Sequence, residues 1–232
     1  MKRMATVSMK RMATVSVFVA VLAAMSASAE LTLSTRGGAS LPLVMPKAPA
    51  PSLALAAKEW NRYLGRLTGG KSTVLHRKPS DGCCLELVME PLAPGDEDSF
   101  TIVADGGTLT VRGGTRGILY GVYEILETYG GVGWYASFYT HVPRIDRLAV
   151  PSTLNRREVP AFDVRWPGWG VPRMRDGHLA SHLRYNGTGI VGKNPQFGGV
   201  RYRFAKGWTA QDRKSTRLNS SHTDSSRMPS SA

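Results

Sequence analysis

Apolar residues return along this chain at two different periods. In "LALAAKEWNRYLGRLTGG", Leu53, Ala56, Ala57, Trp60, Leu64 and Leu67 recur every three or four positions, and Lys58, Glu59, Asn61, Arg62 and Arg66 fall on the other side. That spacing predicts an amphipathic helix, entered from the Pro-rich "KAPAPS" with Ser52 as its N-cap and stopped by Gly69-Gly70. A second helix is predicted over "TRGILYGVYEILETYGG", with Leu119, Val122, Tyr123, Leu126 and Tyr129 as its apolar stripe. Gly117 and Gly121, four apart, would let that helix lie close against a sheet, and Thr115 is its expected cap. "ELTLSTRGGASLPLVMP" reads as two short extended runs around a Gly-Gly turn, and "STVLH", "CCLELVM", "FTIVAD", "TLTVRGG", "VGWYASFYTHVP" and "RLAVP" read as further extended segments, separated by turn residues such as Pro79-Ser80-Asp81-Gly82 and Asp105-Gly106-Gly107. The order predicts an α/β fold class, a two-layer domain of a mixed β-sheet with two main helices over residues 30–152.

From Thr153 the pattern changes. Gly, Pro, Arg and Trp dominate, with "PAFDVR" as one strand candidate and "GHLASHLRYNG" as a short helix. Residues 153–211 are too few and too irregular for a second closed domain, and they read as the opening of a larger one.

The two ends carry other signals. Lys2, Arg3, Lys10 and Arg11 precede the apolar run Val17–Met25, and Ala27-Ser28-Ala29 forms a small-residue cleavage site. Residues 1–29 are therefore expected to be a signal peptide cleaved near Ala29, which makes the mature chain secreted or periplasmic with no stable membrane insertion. At the other end, Asp212–His222 back-translates into a widely used DNA-sequencing adapter, and Ser226–Ala232 resumes the adapter after an index-length gap. Residues 212–232 are read as a non-native tail rather than a basic nucleic-acid arm.

That reading changes the charge. The formal net charge of the chain is +13; the four basic residues of the leader and a net +2 in the tail leave +7 on residues 30–211. Between Arg144 and Lys206 twelve Arg or Lys face four Asp or Glu. An acidic glycan, carboxylates of a following domain, and nucleic acid compete as partners of that segment. Export without a nucleic-acid fold makes the last the weakest. Cys83 and Cys84 are adjacent, a spacing poorly matched to an ordinary disulfide, and read as two small residues of a strand.

"AAKEWNRYLGRLTGG", "VRGGTRGILYGVYEILETYGGVGWYA" and "VPAFDVR", in that order, resemble the N-terminal accessory domain of exported glycoside hydrolases. Those include the α-glucuronidases of family 67 and the β-N-acetylhexosaminidases of family 20. The most specific piece is Gly113–Tyr135, where R-G-x-x-Y-G-V-Y-x-x-L-E precedes G-W-Y. The resemblance implies an α/β layer ahead of a (β/α)8 barrel, with "PAFDVR" as the first barrel strand and carbohydrate as the partner. It also implies that Arg165 stands where the hexosaminidases place an arginine on sugar hydroxyls. "WPGWGVPRMRDG" departs from the hexosaminidase pattern, leaving the sugar and linkage open.

The candidate chemistry is sparse. Glycoside hydrolysis needs two carboxyl groups flanking the bond, and residues 30–211 offer no convincing pair. Asp96-Glu97-Asp98 is expected to be a solvated turn, and Glu124 and Glu127 lie on the second helix. The fragment is expected to lack catalytic residues. Arg165, Trp166 and Trp169 are the candidate substrate-binding residues, through guanidinium hydrogen bonds and aromatic stacking on sugar rings. His178 and His182 share one helix face but lack a third ligand, so no metal and no cofactor is expected. A barrel strand without neighbours exposes an unpaired edge, so residues 160–211 are expected to hold little fixed structure.

Overall fold

The computed structural model describes residues 29–91, 96–162, 165, 177–186 and 194–199. They form the expected two-layer α/β arrangement. Its centre is a six-stranded mixed sheet. Five of its strands are β2 (Leu43–Val44), β3 (Val74–Leu75), β4 (Cys84–Met89), β5 (Phe100–Asp105) and β6 (Thr108–Gly113). The sixth is an edge strand, Asn155–Glu158, which is β10 in chain order. The spatial order is β10-β5-β6-β4-β2-β3; β3, β2, β4 and β6 run parallel, and β5 and β10 are antiparallel to their neighbours. A β-hairpin, β7 (Gly133–Ala136) with β8 (Tyr139–His141), and an antiparallel pair, β1 (Glu30–Thr35) with β9 (Arg147–Pro151), flank it.

The sheet alternates as a half-buried sheet should. Leu85, Leu87, Phe100, Ile102, Leu109 and Val111 are buried, while Glu86, Thr101, Val103 and Thr110 between them are half-buried and Arg112 is exposed. The buried face receives both main helices. Helix α1 (Pro51–Leu67) connects the parallel strands β2 and β3, a connection that needs a crossover of this length. Every residue of its predicted stripe is buried. Each fully buried Leu or Trp there contributes roughly 1.5–3 kcal/mol of transfer free energy. The helix starts two residues earlier than expected. Ala50 is the N-cap without a side-chain bond, and Pro51 occupies the first helical position, where its fixed φ suits the helix and its missing N–H costs nothing.

Helix α2 (Gly117–Thr128) is buried on nearly every side, because the sheet lies under it, α1 beside it and a short helix, α3 (Gly177–His182), across it. The two glycines explain how close the sheet comes. A Cβ on Gly121 would sit 2.5 Å from Val111 Cγ1, and one on Gly117 would run into the Ser99 carbonyl oxygen. Thr115 does not cap this helix. The N–H groups of Arg116 and Gly117 instead donate to the Glu97 carbonyl at 3.0 and 2.8 Å, so the turn before β5 closes the helix start.

Two further differences concern the trailing segment. Strand β10 pairs with β5 from Asn155 to Glu158, which carries the sheet past residue 152, the expected end of the layer. Beyond it, Pro160–Phe162 and Arg165 of the expected barrel strand are not in a strand; Asp163 and Val164 lie outside the described residues. Gly177–Asn186 and Asn194–Gly199, in the stretch expected to hold little structure, dock onto α1 and α2. Leu179, Ala180 and Phe197 join the core there.

Candidate functional site

The docking seam is polar at two places, and both involve residues singled out in the sequence. The first is built on Asp98. This residue was expected in a solvated turn, yet it is 4% exposed. Its carboxylate accepts from Arg116 Nε, from Arg165 Nη2 at 2.5 Å and from Asn186 Nδ2 at 2.6 Å. Burying an ionised carboxylate is tolerable only with such pairing. Arg116, on the turn into α2, is 1% exposed.

Arg165 holds the trailing chain to this carboxylate. Its Nε donates to the Arg184 carbonyl at 2.9 Å and its Nη1 to the Phe162 carbonyl at 2.7 Å. Its backbone N–H donates to Asn186 Oδ1 at 2.8 Å, and its carbonyl accepts from the Asn186 N–H at 3.2 Å. The guanidinium also lies 5.9 Å from the centre of the Tyr120 ring. All three guanidinium nitrogens therefore have protein partners, and the side chain keeps about 20% of its surface exposed. Trp166 and Trp169, the other two candidate binding residues, lie outside the described residues, as does Asp163.

Arg165 borders an open cleft of about 330 Å³ between α2, β10 and the trailing chain. Its carboxylates are all tied to arginines. Glu124 meets Arg156 at 2.8 Å and Arg184 at 2.9 Å, and Glu158 meets Arg156 at 2.8 Å. Glu127, just outside the cleft, also pairs with Arg184. Its burial pushes its pKa up, against the opposing pull of Arg184. Each of these carboxylates is therefore held in an ion pair with an arginine.

The second polar place is built on Glu59. Read as part of the polar face of α1, it is 1% exposed. His182 Nε2 meets Glu59 Oε2 at 2.9 Å, and His178 Nδ1 is 3.9 Å from Oε1. Burial lowers the pKa of His182, and the neighbouring carboxylate only partly restores it. Burial raises that of Glu59, and the bond and charge of His182, with Arg62 and His178, more than offset it. At neutral pH the pair is a carboxylate accepting from a neutral imidazole. The His182 ring stacks on Trp134 at 4.5 Å and meets the edges of Tyr123 and Tyr63. Trp134 Nε1 in turn donates to the Tyr63 hydroxyl at 2.7 Å. Glu59 thus takes the position opposite the two histidines where a third ligand was missing from the sequence, but among the described residues no group of three or more acidic, His or Cys side chains is arranged to hold a metal ion.

Sequence reasoning missed Asp98, Asn186 and Glu59 as seam residues. Glu59 had one available signal: it lies one residue before the buried Trp60, at the border of the apolar stripe. Cys84 opens β4 and is buried, whereas Cys83, expected in the same strand, precedes it and is half-buried; neither is in a disulfide.

A third feature is a larger cleft of about 660 Å³ at the far end of α1, lined by Arg36, Arg66 and Arg144. A fourth is the β7–β8 hairpin. Tyr135, Phe138 and Tyr139 are 69%, 95% and 53% exposed there, and the two tyrosine rings stack at 5.8 Å. Among the described residues no helix is long and apolar enough to cross a membrane.

No family model matches the chain, and no curated protein matches it. Among solved structures it is similar to a family GH115 4-O-methyl-α-glucuronidase with specificity for decorated arabinogalactans. The TM-score is 0.45 and the identity 13%, over 68% of this chain and 25% of that one. It is also similar to a GH138 enzyme targeting pectin rhamnogalacturonan II, with a TM-score of 0.32 and 18% identity over 43% of this chain and 14% of that one. The chain spans a quarter or less of the length of each.

Proposed function

We propose that residues 30–211 are the N-terminal part of an exported glycoside hydrolase that acts on a polysaccharide or its oligosaccharides. In this reading the α/β layer supports a (β/α)8 barrel beginning near Pro160, and the catalytic carboxyl pair lies beyond Gln211. The observation that carries the reading is the Asp98–Arg165–Asn186 cluster. A buried carboxylate of the layer is committed to holding the chain that leaves it, which fits a layer that serves as a seat for a following domain. Val159 and Phe162, 54% and 73% exposed beside that cluster, offer apolar surface for the same domain. In this reading Arg165 anchors the trailing chain and, with Trp166 and Trp169, contributes the sugar contacts. An acidic, uronate-bearing glycan is the partner that the basic surface favours.

The test is the coding DNA beyond the Gln211 codon. The expected result is a frame continuing for roughly 250 codons, with carboxylates at barrel strand ends, whose product releases sugar from a polysaccharide. The 232-residue chain should release none under the same assay. A stop codon directly after Gln211, or hydrolysis by the 232-residue chain, overturns the reading. The exposed Tyr135, Phe138 and Tyr139 favour a second reading, a non-catalytic carbohydrate-binding protein. It predicts glycan affinity that is lost when the three are changed to alanine.

A further inference from the structure

The cleft at the C-terminal end of α1 shares no lining residue with the seam, and its chemistry is one-sided. Three separate segments each bring an arginine to it. Arg36 comes from the turn after β1, Arg66 from the last turn of α1 and Arg144 from the loop between β8 and β9. All three side chains are exposed. The one acidic group paired with any of them among the described residues is Asp146, 2.9 Å from Arg36. It is itself 86% exposed, so the pair is solvated and weak.

A basic residue at a helix C-terminus often serves only to satisfy the last carbonyls and the helix dipole. Three of the last carbonyls are met here without the Arg66 side chain. The Leu64 carbonyl accepts from the Thr68 N–H and hydroxyl, the Gly65 carbonyl from the Gly69 N–H, and the Leu67 carbonyl from the Ile145 N–H, all within 3.2 Å. Arg66 also lies 5.8 Å from the centre of the buried Tyr63 ring. Arg66 and Arg144 have no carboxylate partner among the described ion pairs, so the cleft holds an excess of guanidinium charge in a concave setting that strengthens its field.

The geometry points to this cleft as a binding site for an anionic glycan: an oligosaccharide carrying a carboxylate or sulfate on more than one unit. Three arginines from three separate segments around one opening can engage successive anionic groups of one chain. Guanidinium forks suit the planar carboxylate and the sulfate alike. The cleft volume lies in the range of small-ligand pockets. The site deepens the carbohydrate reading by naming a place and a charge for the partner, but it stands on its own residues. The far end of the layer would then hold an acidic chain independently of the seam.

The experiment is calorimetric titration of the full chain with three probes: a galacturonic acid tetramer, a sulfated tetramer and an uncharged tetramer. Each is run at low and near-physiological salt. The decisive variants are R36Q/R66Q/R144Q and a control with the same loss of charge elsewhere, K47Q/K58Q/R157Q. All six side chains are exposed, and unchanged circular dichroism verifies folding; if the triple variant fails that check, the three single variants replace it. At least one charged tetramer should bind; at near-physiological salt the first variant should weaken it about tenfold or more while the control stays within about threefold, since distant surface charges are then screened beyond roughly 8–10 Å. Which charged tetramer binds better separates carboxylate from sulfate. Equal losses in both variants, equal binding of the uncharged tetramer, tighter binding of a single-stranded DNA of equal charge, or no binding of either charged tetramer overturns the site. The hydrolase reading is decided by the downstream DNA and survives any of these results.

Discussion

The helix–sheet core and the polar seam bury side chains to the same degree and by opposite means. In the core, Trp60, Leu64, Leu85, Val111 and Tyr123 are all at or near zero exposure, and their neighbours are chiefly apolar. In the seam, Asp98, Arg116, Glu59 and His182 are almost as deeply buried but survive there only through specific partners. The core tolerates error in proportion to volume. The seam is all-or-none, because removing one member leaves another charge without its counterpart. One region gives the layer its stability, and the other fixes where the following chain attaches.

The largest expected effect belongs to the core. Trp60→Ala removes the largest fully buried side chain. It also deletes the indole N–H that donates to Ser72 Oγ at 2.9 Å, the link that folds the chain after α1 back onto the helix. A loss of about 3–5 kcal/mol is expected, readable as a shift of the urea midpoint with circular dichroism at about 222 nm. The loss should spread over the whole layer in a single transition. A two-step transition would show that the core is not one unit.

Asp98→Ala should come close behind, but with a different signature. It removes the nearest carboxylate from Arg116 and the shared acceptor of Arg165 and Asn186. A cost of about 3 kcal/mol is expected. Hydrogen exchange should rise most in Gly177–Asn186, because the tether of that segment is lost while the core is intact. Equal acceleration throughout α2 and α3 would erase the distinction between core and seam.

These two variants also mark how far the sequence could be read. The core was legible because its signal is periodic and local: the stripe of α1 and the glycine pair of α2 need only a helix repeat to interpret. The seam was not. Glu59 and His182 are 123 residues apart in the chain, and Asp98 and Asn186 are 88 apart. A polar residue on the border of an apolar stripe looks solvated until its partner is known. Asp98 sat between two other acids and a strand in a turn-rich stretch, and nothing local separated it from those acids. Strand β10 escaped notice for a related reason: "NRRE" has no apolar alternation, because an edge strand can hold its place by backbone pairing while its side chains make ion pairs.

A smaller effect concerns pH. The pKa of His182 is lower in the folded chain than in the unfolded one, so below about pH 6.5 the unfolded chain binds more protons and stability falls with pH. Glu59, whose pKa is also lowered, adds its own loss as pH falls below the ordinary carboxylate range. The thermal midpoint should therefore decline between about pH 7 and pH 5, and His182→Phe should flatten that decline while keeping the ring stack on Trp134. A decline of unchanged slope in the variant would assign it to other groups.

The smallest effect sharpens the comparison at the rim of the seam, where burial fades. Arg184 has φ of 58°, the only non-glycine residue with positive φ among the described residues. It also pairs with Glu124 and Glu127 through a side chain that is 28% exposed. Partly exposed pairs of this kind are worth about 0–1 kcal/mol, whereas the left-handed backbone costs a residue with a Cβ about 1–2 kcal/mol. Arg184→Ala loses the pairs and keeps the strain. Arg184→Gly loses the pairs and relieves it. The glycine variant should therefore be more stable than the alanine variant by about 1 kcal/mol and close to the parent, measured by thermal unfolding. If both variants fall together by several kcal/mol, the ion pairs rather than the backbone set the energy here, and the all-or-none behaviour of the buried seam extends to its exposed edge.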